Sequence, residues 1–205
     1  KPFTVAAGLE FGNYEPNSLI NTSPGYYQIG GYTVRDMRNY GKIDVSTVIT
    51  KSSNVGASKI ALSLEPEQYW DALNRFGFGH STGSGYPGES SGSLNSFNTW
   101  SEIEMATLSF GYGLSVTPLQ LVHAYSILAT GGVMLPVSFI KINGSVTGKR
   151  VMPENITRQV RKMLETVVSA NGTGKRAAIK GYRVIGKTGT VHKSIRGGYS
   201  DDRYL

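Results

Sequence analysis

The sequence predicts an α/β protein whose helices and extended chain are segregated, and three observations predict it. Apolar residues recur at i, i+3 and i+4 through several segments of residues 1–170, the spacing of helices with a buried face. β-Branched and aromatic residues collect in residues 182–192, after the last of those segments, and favour extended chain. One stretch near the start, NTSPGYYQIGGYTVRD, alternates like a short hairpin with Gly30-Gly31 at its turn.

Taken in order, residues 1–10 form a helix carrying Phe3, Val5, Ala6 and Leu9, and the hairpin follows. A helix from Asp44 through Lys51 puts Val45, Val48 and Ile49 on one side, and a second carries Ala57, Ile60, Ala61 and Leu64. Between them lies Ser52-Ser53-Asn54. Pro66 opens the next helix and Gly77 closes it. Residues 79–98, rich in Gly and Ser, read as a long irregular loop. Ser101 to Glu104, SEIE, is a capping box, which with the helix dipole explains Glu102 and Glu104 better than acid catalysis does. Thr117-Pro118 starts a helix with Leu119, Val122, Tyr125 and Leu128 or close neighbours inward, ended by Gly131-Gly132. Residues 153–170 give a further amphipathic helix, and a Gly197-Gly198 pair suits a hairpin turn after the late strand.

A length of 205 residues suits one domain, or one domain and a fragment of another. No apolar run reaches the length of a membrane span and no signal-like segment is present. The sequence begins at Lys1 and not at Met, which leaves room for a leader or anchor upstream. With no cysteine, disulfides and thiolate metal sites are excluded. His80, His123 and His192 have no metal-ligand spacing and read as structural or surface residues.

The net charge of +7 is unevenly placed: residues 149–205 hold 13 of the 21 Lys and Arg but only 4 of the 14 Asp and Glu. These cations are spread singly and are not interleaved with stacking aromatics. A solvated basic face, or attraction of small anionic substrates, fits them better than nucleic acid.

Gly181 to Thr188, GYRVIGKT, matches the phosphate-loop pattern G-x-x-x-x-G-K-[ST] letter for letter. A phosphate loop needs small residues in a tight turn and a helix behind the phosphate. Tyr182, Arg183, Val184 and Ile185 are bulky or β-branched, and GTVHKSIRGGYS after Lys187-Thr188 lacks helical spacing. Lys187 therefore needs another role.

Three polar clusters remain: Lys1, Ser52-Ser53-Asn54 and Lys187-Thr188-Gly189-Thr190. Singly they are weak, since Ser-Ser-Asn between helices is commonly a cap and Lys-Thr-Gly on a strand is commonly a solvated edge. Their order matches the S-x-x-K, S-x-N, K-T-G set of penicillin-recognising serine enzymes. With KPFTVAAGLE, KSSNVGASKIALSL, RFGFG, WSEIEMATLSFGYGLSVTPLQLVHAYSILATGG and AAIKGYRVIGKTGT in sequence, nearly the whole chain resembles a class B penicillin-binding protein, closely the septal transpeptidase of Gram-negative bacteria.

The resemblance implies a penicillin-binding protein transpeptidase or serine β-lactamase-like fold, an antiparallel sheet flanked by helices, here incomplete: residues 1–205 as a partial domain truncated at both ends. It implies a nucleophilic serine three residues before Lys1, outside this sequence, so that the fragment alone is expected to be inactive. Lys1 is then the base, Ser52 a proton relay, and Asn54 a partner of Lys1 and of the substrate amide. Lys187, Thr188 and Thr190, with Gly189 between, bind the terminal carboxylate, and the Thr190 N–H contributes to the oxyanion hole. Ser53 is read as shaping the turn, and Tyr112 as either a cleft wall or core.

The implied reaction is D-Ala-D-Ala transpeptidation of peptidoglycan stem peptides in septal wall synthesis, without metal or organic cofactor. β-Lactam antibiotics act as covalent inhibitors. A glycan polymerase and divisome proteins are implied as partners, nucleic acid is not, and the location is the periplasmic side of the inner membrane. A β-lactamase or penicillin sensor of the same fold is the alternative within the class, although no glutamate sits in a water-activating motif. A nucleotide or nucleic-acid binding module is the alternative outside it.

Overall fold

The computed structural model describes residues 1–190 and the backbone of two strands beyond them, His192–Ile195 and Gly198–Tyr204. The predicted Gly197-Gly198 turn falls partly outside the described residues.

The helices are α1 (Pro2–Phe11), α2 (Val45–Lys51), α3 (Asn54–Leu62), α4 (Pro66–Arg75), α5 (Glu102–Leu108), α6 (Pro118–Ala129) and α7 (Glu154–Val168). Helix α1 has no polar stripe, and every residue from Pro2 to Leu9 is buried. A helix that is apolar all round needs partners all round. Here α3, α4 and α7 pack against it. Phe3 meets the rings of Phe76, Phe78 and Tyr125 at centroid distances of 4.8, 5.0 and 5.4 Å. At its far end Glu10 pairs with Arg75 of α4 at 2.7 Å.

The strands are β1 (Leu19–Asn21), β2 (Tyr26–Ile29), β3 (Tyr32–Arg35), β4 (Lys42–Asp44), β5 (Ser93–Leu94), β6 (Leu114–Ser115), β7 (Val133–Met134), β8 (Lys149–Arg150), β9 (His192–Ile195) and β10 (Gly198–Tyr204). They pair antiparallel in twos: β1 with β4, β2 with β3, β5 with β6, β7 with β8 and β9 with β10. The β2–β3 hairpin turns at Gly30-Gly31 as expected, with Tyr26 opposite Arg35 and Ile29 opposite Tyr32. Ile29 and Val34 of the hairpin cluster with Val55 of α3 and Ala106 of α5, which fixes Asp36, just past β3, at the start of α3.

Helices with small antiparallel sheets are the expected fold class, and two narrower expectations are corrected. Residues 183–190 are irregular chain where a strand was predicted. The β propensity of Tyr182, Val184 and Ile185 is realised only against cross-strand neighbours, and no described residue supplies them. On α6, Val122 is 66% exposed, while Gln120, His123, Ala124, Ile127 and Leu128 are buried. Gln120 is drawn inward because its Nε2 donates to the carbonyls of His80 (2.6 Å) and Ser91 (2.7 Å), which turns Leu121 and Val122 to solvent.

The same two bonds pin the 79–98 loop, and Glu89 holds it from within. Its carboxylate accepts from the Thr82 N–H and hydroxyl, each at 2.6 Å, and from the Ser84 hydroxyl at 2.8 Å. Those donors, Thr82 first, lower its pKa to about 2.

Helix spacing around the site depends on two glycines. A Cβ on Gly8 would lie 2.5 Å from Ile60 Cγ2, and one on Gly56 would lie 2.5 Å from Val48 Cγ2. Ile and Val are fixed at χ1 within helices and cannot swing away. Gly56→Ala should therefore destabilise by about 1–3 kcal/mol through overpacking, more than the roughly 0.5–1 kcal/mol gained in helix propensity. Gly31→Ala, with nothing within 4 Å of the new carbon, should stay within about 0.5 kcal/mol of the parent. Denaturant midpoints of the two variants measure the difference.

Candidate active site

Helix α2 ends in a Schellman motif: the Ser52 N–H donates to Ile49 O at 3.2 Å and the Ser53 N–H to Val48 O at 3.0 Å. The motif needs a left-handed residue, and Ser52 adopts φ 59°, ψ 39°. Among the described residues it is the one non-glycine with positive φ. Glycine is the usual occupant, and a serine costs about 1–2 kcal/mol there. Ser52 Oγ makes no hydrogen bond with the described residues, so the hydroxyl is held in place by backbone alone.

Ser53 is buried and caps α3, its Oγ accepting from the Gly56 N–H at 2.8 Å and donating to Asp36 Oδ2 at 2.6 Å. Asp36 Oδ1 accepts from the N–H groups of Asn54 (2.5 Å) and Val55 (3.0 Å). One carboxylate thus takes up the orphan donors that open α3 and clamps the whole turn. The Asn54 side chain donates to Arg35 O at 3.0 Å, and no hydrogen bond joins it to Lys1. The hairpin, and not Lys1, orients that amide.

Lys1 is half-buried at the start of α1, its Nζ 5.6 Å from the centroid of the Phe110 ring. Burial is the main force that pushes its pKa down to about 7; the positive Lys187 pushes the same way and Asp36 opposes. Lys187 is itself lowered to about 8 by burial. Its Nζ donates to Thr188 O at 3.2 Å and Oγ1 at 3.3 Å, and Thr188 Oγ1 lies 2.9 Å from Thr173 Oγ1. Gly189 and Thr190 follow, exposed. Lys1 feels both Lys187 and Asp36, and Asp36 holds Ser53 and Asn54. Lys1 is thus within electrostatic reach of Lys187 and of Asp36, the carboxylate that holds the Ser53–Asn54 turn. Tyr112 stacks edge-on to Phe110, the ring beneath Lys1, at 5.7 Å.

Asp36 and Phe110 were not singled out in the sequence. A polar turn at a helix start demands an acceptor, which is a signal for Asp36, but 17 residues separate it from Ser53 and no local pattern selects it.

The phosphate-loop reading finds no support in the backbone: residues 183–190 are irregular, and the strand β9 follows where a helix would stand behind a phosphate. His80 bonds Asn74 Nδ2 at 2.7 Å and His123 bonds Leu135 O at 2.7 Å, both structural contacts; the side chain of His192 lies outside the described residues. Ser101 Oγ accepts from the Glu104 N–H at 3.4 Å and the Glu104 carboxylate accepts from the Ser101 N–H at 2.8 Å, the reciprocal cap expected.

A lysine brought near neutrality by burial beside a hydroxyl-bearing turn is the arrangement that acyl transfer through serine uses. Comparison with known proteins arrives at the same class: the chain belongs to the penicillin binding protein transpeptidase domain family, which matches residues 1–204. Its similarity narrows further, to cell-wall enzymes. It is 42% identical over 205 residues to the probable peptidoglycan D,D-transpeptidase PenA of Neisseria flavescens, covering 100% of this chain and 51% of that protein. It is 43% identical to the peptidoglycan D,D-transpeptidase FtsI of Escherichia coli K12, covering 34% of that protein. In fold it matches the transpeptidase domain of penicillin-binding protein 3 from Burkholderia pseudomallei with a TM-score of 0.95 and 42% identity, over 100% of this chain and 62% of the other. The chain thus spans between a third and a half of the length of the curated relatives.

Asp36→Asn should keep the size of the clamp but weaken its charge-assisted bonds, costing about 1–3 kcal/mol. Since Asp36 raises the Lys1 pKa, its loss should also move the Lys1 titration further below 7, visible as an acid-ward shift in the pH profile of acylation. Ser52→Gly should melt no lower than the parent, and by up to about 1 kcal/mol higher, because it relieves the left-handed serine; a thermal melt checks it.

Proposed function

We propose that the chain is the acyl-transfer portion of a septal peptidoglycan D,D-transpeptidase, and that Lys1, Ser52, Asn54, Lys187, Thr188, Gly189 and Thr190 form its working site. The observation that carries the reading is the family match over residues 1–204, and the lowering of Lys1 to about 7 by burial and by Lys187 supports it, since a sizeable fraction of the amine is then neutral near pH 7. The nucleophile is the serine that the S-x-x-K motif sets one helical turn ahead of its lysine, where hydroxyl and amine share a face.

The serine oxygen attacks the carbonyl carbon of the penultimate D-alanine while Lys1 Nζ takes its proton. The oxyanion is received by backbone N–H groups, that of Thr190 among them, each worth about 2.7–4 kcal/mol of barrier lowering. The C–N bond to the last D-alanine breaks, and its amine takes the proton from Lys1 through the Ser52 hydroxyl. Lys187 with Thr188 and Thr190 holds the terminal carboxylate, Asn54 the substrate amide, and Tyr112 the cleft wall. An amine of a second stem peptide then attacks the acyl-enzyme and restores the serine. A β-lactam enters by the same route and acylates the same serine.

The proposed setting is the periplasmic side of the bacterial inner membrane, beside a glycan polymerase and the division machinery. No helix among the described residues is long and apolar enough to cross a membrane.

The test is the rate of penicilloyl-enzyme formation across pH, in the protein that carries its S-x-x-K serine. The rate should rise as Lys1 loses its proton through about 7 and fall as Lys187 loses its own through about 8. Lys187→Arg keeps a cation that does not deprotonate, so the alkaline limb should disappear while the acid limb stays. Lys1→Ala should slow acylation by about 10²–10⁴-fold. A flat profile in the parent, or turnover of penicillin within seconds, would reject the transpeptidase reading, the latter in favour of a β-lactamase.

A further inference from the structure

The turn that follows α2 and the segment from Lys187 to Thr190 are far apart in the chain, and a series of contacts joins them through the end of α7. Lys51, the last residue of α2, sends its Nζ to the carbonyl of Asn171, 120 residues on, at 2.8 Å. One residue earlier, the hydroxyl of Thr50 meets that of Thr166 on α7. A lysine in the last turn of a helix is ordinarily explained by the helix dipole. This one forms no ion pair among the described residues and commits a donor to a single carbonyl of a distant turn.

That turn, residues 169–174, is folded back on the end of α7. The Gly172 N–H donates to Ser169 O at 2.9 Å and the Gly174 N–H to Val167 O at 2.8 Å. A Cβ on Gly172 would lie 2.0 Å from Val167 O, so a side chain there would push the turn off the helix. From the turn, Thr173 Oγ1 reaches Thr188 Oγ1 at 2.9 Å. Gly174 backs the same residue, since a Cβ on it would lie 3.7 Å from Thr188 Cγ2. Thr188 is one of the groups that the proposed reaction sets on the terminal carboxylate. The route to it from Lys51 is therefore short: one hydrogen bond to Asn171, the tip of a turn, and one hydroxyl pair.

We propose that Lys51 is a positioning residue for acyl transfer: by holding the Asn171 carbonyl, its ammonium sets where Thr173 presents its hydroxyl, and so where Thr188 meets the substrate carboxylate. The inference rests on the reaction proposed above and adds to it a residue that touches no substrate. Without Lys51 the Ser52 end of the route keeps its Schellman bonds, the Ser53 cap and the Asp36 clamp. The tip of the turn loses its tie to α2. The effect of removing the ammonium therefore falls on the carboxylate-binding end, and the nucleophile, Lys1 and Ser52 are spared.

The experiment measures second-order acylation by benzylpenicillin and by its methyl ester, in the protein that carries its S-x-x-K serine. The ester lacks the anion that Thr188 receives. Lys51→Met keeps most of the stem and removes the donor; it should slow acylation by the free acid about tenfold and leave the ester within about twofold of the parent. Lys51→Arg, which still donates to a carbonyl, should restore most of the rate with the free acid. Thr173→Val should show the same selective loss, and Lys51→Met/Thr173→Val no more than either change alone, because residues on one route do not add. Equal slowing with acid and ester would overturn the inference, since it marks a general loss of fold or of the Ser52 relay. So would parental rates in Lys51→Met, or full additivity of the two changes. A parent that takes up neither compound would reject the acyl-transfer reading itself, and this inference with it.

Discussion

Burial of α1 on every side is the constraint from which the rest of the structure follows. A helix without a polar face must be surrounded, so α3, α4 and α7 are gathered about it, and the side chain that begins it is drawn partly out of water. Desolvation penalises the charged form of an amine, and for Lys1 it is the largest influence, ahead of the repulsion from Lys187. The core and the proposed chemistry are thus one arrangement: packing that shields the helix also prepares the base.

Against that packed centre, the site is completed by two devices that stabilise it unequally. The Asp36 carboxylate gathers Ser53, Asn54 and Val55 into a fixed turn, a favourable contact made by a hairpin that belongs to none of the sequence motifs. Ser52 is the opposite case, a side chain held in a backbone region better suited to glycine. The favourable clamp offsets the local strain. Keeping a hydroxyl where no hydroxyl is needed for folding is the pattern expected when function and stability pull apart at one residue.

Much of this was legible in the sequence where the signal is local. The capping box at Ser101, the helix starts near Asp44 and Thr117, the hairpin turn at Gly30-Gly31 and the spacing of Ala57, Ile60 and Ala61 are set within a few residues and emerged as read. What failed was non-local. The facing of α6 is decided by Gln120, whose partners His80 and Ser91 lie 40 and 29 residues away. The apolar spacing of Leu119 and Val122 could not reveal it. The strand read into residues 182–192 rested on propensity, which specifies a strand only with a neighbour present, and residues 183–190 of it are irregular. In the site, Lys1, Ser52 and Lys187 were visible as a set because their order resembles a known family, whereas Asp36 and Phe110 became visible only when folding brought them beside that set.

The all-apolar character of α1 also bears on synthesis. Its partner α7 lies more than a hundred residues later in the chain, and at roughly 5–20 residues per second a ribosome needs on the order of ten seconds to deliver it. Through that interval the segment has no surface to show to water. It is the part of the nascent polypeptide that a holding chaperone would grip.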